Sequence, residues 1–250
     1  MARLVVDKPV WDRSRLADPH GQADKADRVR TMFDAIAPTY ERVNRVTSAG
    51  RDAYWRRKAV AMADIRPADR VLDVACGTGD FARAFAEAGP SVVIGSDFAE
   101  RMLALAASRG NKTIKWCRAD GLALPFDDGA FTVVSCAFGV RNFQDLDVGL
   151  REFHRVLQPG GRAVILEFSM PRLRVLRALY LIYFRRVLPW LATRISRDRT
   201  GAYRYLPKSV SSFVDTSGMS AALKDAGFAS VEHRGLTAGI ATVHIARKAT

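Results

Sequence analysis

The chain has 250 residues, 48% of them hydrophobic, enough to bury one sizeable core, and carries a formal net charge of +13. Residues 1–27 are polar, with Asp and Arg interspersed, so no charged-then-apolar leader is present and export is not expected. Cys76, Cys117 and Cys136 form no CxxC pair, and His20, His154, His233 and His244 are too scattered for a zinc site; reduced thiols in a cytosolic, metal-free protein are expected.

In chain order, an open N-terminal arm precedes helical patterns over 25–36 and 50–63. Strand 70–75, helix 79–88, strand 91–96, helix 99–109 and strand 113–118 follow. After a polar loop come strand 131–137, helix 145–157, a Pro159-Gly160-Gly161 turn and strand 162–168. Helix 218–226 ends at Gly227, and strands 228–235 and 240–247 read as a terminal antiparallel hairpin. This βαβ alternation predicts an α/β, Rossmann-like, mostly parallel seven-stranded sheet that holds its ligand at the carboxyl ends of the strands. No repeat or linker divides the chain, so 1–250 reads as one domain with a helical lid over about 25–65 and a basic amphipathic insertion over about 170–217.

The first strand runs through Val71-Leu72-Asp73-Val74-Ala75 into Cys76-Gly77-Thr78-Gly79-Asp80. Such a glycine turn leaves backbone bare for a ligand and aims the N–H groups of the next helix at it. Gly77-x-Gly79-x-x-Ala82 with Asp97 also satisfies a permissive dinucleotide fingerprint. Asp73 decides between the two ligands, because a carboxylate four residues before Gly77 suits a cation and repels a pyrophosphate. The Asp-x-x-x-Gly-x-Gly pattern resembles the first motif of class I S-adenosylmethionine-dependent methyltransferases. That resemblance implies S-adenosylmethionine as cofactor, Asp73 near its ammonium end, Gly77, Thr78 and Gly79 around it, Asp97 on the ribose, and Asp120-Gly121 beside the adenine.

The positive charge is concentrated. Arg172 to Arg199 holds eight arginines against Asp198 alone, supplying +7 of the +13. Leu173, Leu176, Tyr180, Tyr183 and Val187 recur at helical spacing, with Arg174, Arg177 and Arg185 on roughly the opposite face. Its longest uncharged apolar run, Ala178 to Phe184, is far short of the ~20 residues that span a bilayer. The segment therefore reads as a helix lying on an anionic membrane, against the alternatives of packing on its own domain or forming a homodimer contact.

Two blocks outside the turn narrow the chemistry. Phe33-Asp34-x-Ile36-Ala37-x-x-Tyr40-Glu41-x-Val43-Asn44 leads to Ser48-Ala49-Gly50-Arg51-Asp52-Ala53-Tyr54-Trp55, and Arg155-Val156-Leu157-Gln158-Pro159-Gly160-Gly161 to Leu166-Glu167-Phe168-Ser169. Between them stands Phe138-Gly139-Val140-Arg141-Asn142, and near the end Leu236-Thr237-Ala238-Gly239-Ile240 with His244. Together they resemble the ubiquinone/menaquinone C-methyltransferase family over roughly residues 30–248. The departures are Glu41 for Asp, Val43 for Met, Asp52 for His and Ala137 for Ser, and Asp52 is assigned no catalytic role.

The resemblance implies methyl transfer to a ring carbon of a prenylated quinol, most readily demethylmenaquinol, by a cytoplasmic enzyme peripheral to the inner face of the cytoplasmic membrane. Alternatives are the benzoquinol step of ubiquinone biosynthesis, another lipophilic acceptor, or a noncatalytic cofactor-binding regulator. Arg141, past the fourth strand, is the candidate to stabilise phenolate charge, Tyr40 to orient the hydroxyl and His244 to relay a proton. Nucleic acid is not expected as a partner: Ser135-Cys136-Ala137-Phe138 matches no base-methylation motif, and no aromatic-interleaved basic platform is evident.

Overall fold

The computed structural model describes residues 9–109, 112–171 and 173–250, so Arg172 lies outside the described residues. Its centre is a seven-stranded sheet ordered β3-β2-β1-β4-β5-β7-β6. The strands are β1 (Arg70–Val74), β2 (Val92–Asp97), β3 (Ile114–Arg118), β4 (Phe131–Ala137), β5 (Leu157–Phe168), β6 (Ser230–Leu236) and β7 (Ala241–Arg247). β1 pairs in parallel with both β2 and β4, and β7 runs antiparallel to its neighbours β5 and β6. The strand order therefore reverses between β1 and β4, and a crevice opens above their carboxyl ends.

Strict alternation covers both faces. Val71, Val133 and Val164 join one core with Trp55, Ala59 and Val60 of α3 (Arg51–Ala63) and Phe81 and Phe85 of α4 (Asp80–Glu87). Leu72, Val134 and Ile165 face the opposite core with Leu150 and Phe153 of α6 (Leu146–Val156) and Leu223 of α10 (Thr216–Asp225). α5 (Glu100–Ser108) follows β2. β5 starts earlier than predicted: Phe131 pairs with Leu157, the register shifts across the Pro159-Gly160-Gly161 segment, and pairing resumes at Val133 with Arg162. The glycines there make an irregularity in an extended strand rather than a turn before one.

A third core joins what the sequence presents as separate parts. α1 (Lys25–Ile36) and α2 (Tyr40–Thr47) pack against α7 (Arg174–Ile182), a π-turn over Tyr183–Val187, α8 (Leu188–Ser196) and α9 (Ala202–Ser211). The described part of the N-terminal arm, from residue 9, is not open: Trp11 is fully buried, stacks on Tyr205 with centroids 4.3 Å apart, and donates its backbone N–H to Thr200 at 3.0 Å. Lid, insertion and arm form one helical cap over the crevice. The insertion also turns a different stripe inward. Phe184 and Leu188 are buried and Tyr180 half-buried, whereas Val175, Leu179, Ile182 and Trp190 face solvent, Val175 with 73% of its surface exposed. Apolar residues cover most of this helix, so spacing alone did not select the inward stripe, and the extra residue of the π-turn rotates the next helix about its axis.

Arg162 anchors α3 to the sheet. Its guanidinium donates to the carbonyls of Ala63 at 2.5 Å and Asp64 at 2.8 Å, and pairs with Asp69 at 2.7 Å. Arg162→Ala leaves Asp69 buried and unpaired, so a stability loss of about 3–5 kcal/mol is expected, read as a lowered midpoint in urea unfolding.

Candidate active site

The crevice is built on strained backbone. Ala75 and Phe138, just beyond β1 and β4, have φ of 53° and 58°, a region that bulky residues seldom occupy. Gly77 and Gly79 follow at φ 56° and 84°. A Cβ on Gly79 would sit 2.4 Å from the Trp116 ring, whereas the space beside Gly77 is open. Asp97, ending β2, accepts the Gly77 N–H at 2.7 Å and the Ala99 N–H at 2.8 Å, tying the glycine turn to the next strand.

Gly77, Asp97, Asp120 and Gly121 line one cleft together with Phe98 and Met102. Gly121 is required by packing, since a Cβ there would meet the Phe143 ring at 2.8 Å. Asp73, Thr78 and Gly79 do not line it. Asp73 is buried beneath the turn, where it accepts the Ser135 hydroxyl at 2.8 Å through one oxygen and has no hydrogen-bond partner for the other. Burial pushes Asp73 up to about 7 and Asp97 up to about 6, against the hydrogen bonds each receives. α1 covers this cleft: Ala26 and Phe33 line it, the Lys25 ammonium donates to the Phe143 carbonyl, and the Ala26 N–H donates to Gln144 at 2.9 Å.

A second cavity of about 460 Å³ lies between cap and sheet. Aromatic and aliphatic side chains dominate it, among them Trp55, Phe168, Tyr180, Phe184 and Leu188, and Arg141 reaches its wall. Phe33, Tyr40 and Phe138 line both spaces, so the cleft and the cavity meet at these three side chains. Two of the three catalytic candidates are thereby brought together. The third is not: His244 lines neither space, its Nε2 lies 3.3 Å from the Thr216 carbonyl of α10, and burial lowers it to about 4. Period-two alternation turns it to the sheet face away from the cavity, which corrects its assignment as a relay.

Arg141 is held by a network. Its Nη1 donates to the Phe138 carbonyl at 2.5 Å and to Glu167 at 2.7 Å, and Glu167 also accepts the Phe168 N–H at 2.9 Å. Asn142 donates to the same Phe138 carbonyl at 3.3 Å and accepts the Tyr205 hydroxyl at 3.0 Å. Burial opposes the charge on Arg141, and the Glu167 carboxylate together with Tyr205 and Tyr40 more than offsets it, so the guanidinium stays protonated. Tyr40 is half-buried, and the loss of solvent raises its phenol above the ordinary value.

The sequence reading gave Asp52 no role and passed over Arg56. Both line the larger cavity; Asp52 pairs with Arg56 at 2.8 Å and accepts the Ser48 hydroxyl at 2.7 Å, and Arg56 stacks 5.6 Å from the Phe138 ring centroid. The spacing Ser48-x-x-x-Asp52-x-x-x-Arg56 was the available signal, since residues four apart meet on one helix face. In Glu41, which pairs with Arg83 at 3.8 Å and with Arg109, the lid also contacts α4 and the end of α5.

This geometry fits a cofactor with a cationic end and a nucleoside, given bare backbone at Gly77, acids at Asp73 and Asp97, and a lipophilic cavity adjoining. The model of the ubiE/COQ5 methyltransferase family matches residues 21–248. A demethylmenaquinone methyltransferase of Thermus thermophilus is 46% identical over 218 residues, covering 86% of this chain and 98% of the relative. A ubiquinone/menaquinone biosynthesis C-methyltransferase of Geobacter sulfurreducens is 44% identical over 234 residues, covering 90% of each. Among solved structures, a Thermotoga maritima S-adenosylmethionine-dependent methyltransferase, described as a possible histamine N-methyltransferase, superposes with a TM-score of 0.64 at 19% identity, covering 87% of this chain and 99% of that one. This likeness shows the class I methyltransferase fold.

Removing Arg141 should make stability pH-dependent in a defined direction. Without the guanidinium, Glu167, already lifted by burial, binds a proton more tightly in the folded chain than in the unfolded chain, where the ordinary value is 4.5. Folding then takes up a proton, so the stability of Arg141→Ala falls as pH rises above that value, by at most about 1.4 kcal/mol per pH unit. Thermal melts at acid and neutral pH should show a larger decline for the variant than for the parent chain.

Proposed function

Because the chain belongs to the ubiE/COQ5 methyltransferase family, we propose that it methylates a ring carbon of demethylmenaquinol. It is an S-adenosylmethionine-dependent C-methyltransferase of quinone biosynthesis. The observation that carries the quinol reading is the meeting of the glycine-turn cleft with the aromatic cavity at Tyr40 and Phe138. A flat ring with an apolar tail suits such a cavity, and water has little room beside it.

The cofactor supplies an electrophilic methyl, and the chain's task is to hold an electron-rich ring against it while keeping both dry. With the cofactor bound, Gly77 would leave backbone bare beside it, Asp97 would accept from its ribose, Asp73 would offset its positive end from beneath the turn that Thr78 and Gly79 shape, and Asp120-Gly121 would flank the adenine. Arg141 stabilises oxyanion charge on the quinol, and Tyr40 orients the ring hydroxyl at the junction. The test measures product mass after incubation with S-adenosylmethionine and chemically reduced demethylmenaquinone. Methylated product is expected, with Arg141→Lys retaining cofactor binding and losing most turnover. Exclusive methylation of a benzoquinol analogue run alongside would reassign the ring, and no product from either would remove quinols as acceptors.

No helix among the described residues is long and apolar enough to cross a membrane. Membrane contact instead fits the exposed face of α7 and α8, where Val175, Leu179, Ile182 and Trp190 stand beside Arg174, Arg177 and Arg185. Tyr180, Tyr183 and Leu191 of the same segment line the larger cavity, so a prenyl tail would pass from an anionic leaflet of the cytoplasmic membrane into the site without crossing water. Charge reversal of the three arginines to Glu should abolish co-flotation with phosphatidylglycerol vesicles. Unchanged flotation would reject the reading, and a doubling of mass in solution without flotation would make this face a contact between two copies.

A further inference from the structure

The reaction proposed above releases one proton, because a neutral quinol C–H is exchanged for C–CH3 while a sulfonium becomes a neutral thioether. Something in the acceptor cavity must first relieve the ring of its hydroxyl proton, since only the phenolate is strongly nucleophilic at carbon. Among the described residues the lining contains no histidine, and a guanidinium is not a base at neutral pH. Burial raises the phenols of Tyr40, Tyr180 and Tyr205, the last to about 12, and removes them as bases at neutral pH. Glu167 is occupied behind Arg141 and does not line the cavity. Asp52 is the one carboxylate among the described residues of the lining.

Resting on that reading, the geometry points to Asp52 as the proton acceptor for the ring hydroxyl ortho to the methylated carbon. The carboxylate is half-buried on α3, steadied by Ser48 at 2.7 Å on one oxygen and Arg56 at 2.8 Å on the other, and each oxygen keeps a lone pair for a further donor. Burial raises its pKa, but the Ser48 hydroxyl and Arg56 together outweigh burial and hold it below the ordinary value of 3.8, so it stands ionised before the ring arrives. Arg56 stacks on Phe138, one of the three side chains at the junction, which ties the carboxylate to the point of transfer.

The steps balance. The hydroxyl O–H bond breaks and its proton passes to Asp52, while the electron pair left on oxygen drives the ortho carbon onto the sulfonium methyl. The new carbon–carbon bond forms as the methyl–sulfur bond breaks, its pair returning to sulfur. The ring carbon then sheds its hydrogen as a proton to solvent, and Asp52 returns its own proton to the ring oxygen. Methylated quinol, thioether and one free proton result.

The test compares the parent chain, Asp52→Asn and Asp52→His with reduced demethylmenaquinone, measuring kcat across about pH 5 to 8, the dissociation constant for S-adenosylmethionine and the melting temperature. Asp52→Asn should lose roughly 100-fold or more in kcat with cofactor affinity unchanged. Asp52→His should regain part of that loss, and the ratio of its kcat to the parent's should acquire an acid limb near about pH 6.5, where imidazole protonates, because any limb from Asp73 and Asp97 is common to both chains. Of the groups that share this lining, Arg141 keeps its charge beside Glu167, and burial raises Tyr40 and Tyr183 so that they remain neutral. A kcat for Asp52→Asn within about threefold of the parent overturns the assignment. So does an active Asp52→His enzyme without the limb, which decides alone if Asp52→Asn does not fold. A parent chain that methylates no quinol would instead defeat the function from which this inference starts.

Discussion

The site depends on one buried ion pair. Arg141 and Glu167 are each about 5% exposed, and a charge so placed is tolerated only with a partner at close range. Their contact joins the turn after β4 to the end of β5, and the same Nη1 of Arg141 holds the carbonyl of Phe138 in a left-handed conformation that phenylalanine rarely adopts. Phe138 in turn forms the wall common to the cofactor cleft and the acceptor cavity. Electrostatics thus fixes a strained backbone, and the strained backbone sets where the two spaces meet.

The second organising feature is the helical cap. Trp11, α1, α2 and α7 to α9 share a core, so the acceptor cavity is roofed by segments far apart in the chain. α1 is fastened to the loop after β4 through Lys25 and Ala26, and the polar latch flanks the cofactor cleft while the apolar contacts flank the acceptor cavity. That division matches the ligands: a charged nucleoside on one side, a lipid-like ring on the other.

Charge is likewise partitioned. The chain is strongly basic overall, yet three acids in or beneath the crevice, Asp73, Asp97 and Asp52, are each held by hydrogen bonds to named donors. The described arginines of the insertion are exposed beside exposed aliphatic side chains, so positive charge is gathered at this surface and negative charge in the interior.

By itself the sequence determined the seven strands, the helices between them and the glycine turn, though not α2 or α9, because period-two and helical patterns and a glycine turn are local properties of the chain. Gly77 stood out as part of that turn, Arg141 by its place just past the fourth strand, and Asp97, Asp120 and Gly121 through the resemblance; the structure lines one cleft with Gly77, Asp97, Asp120 and Gly121. Tertiary structure alone decided that His244 faces away from the cavity, since alternation assigns opposite faces without saying which one holds the ligand. It alone buried Trp11 in the cap, turned Tyr180 and Phe184 inward, and set Asp52 into the cavity wall beside Arg56. Those placements rest on contacts between residues distant in the chain, and the free energy of such contacts is not carried by any local pattern.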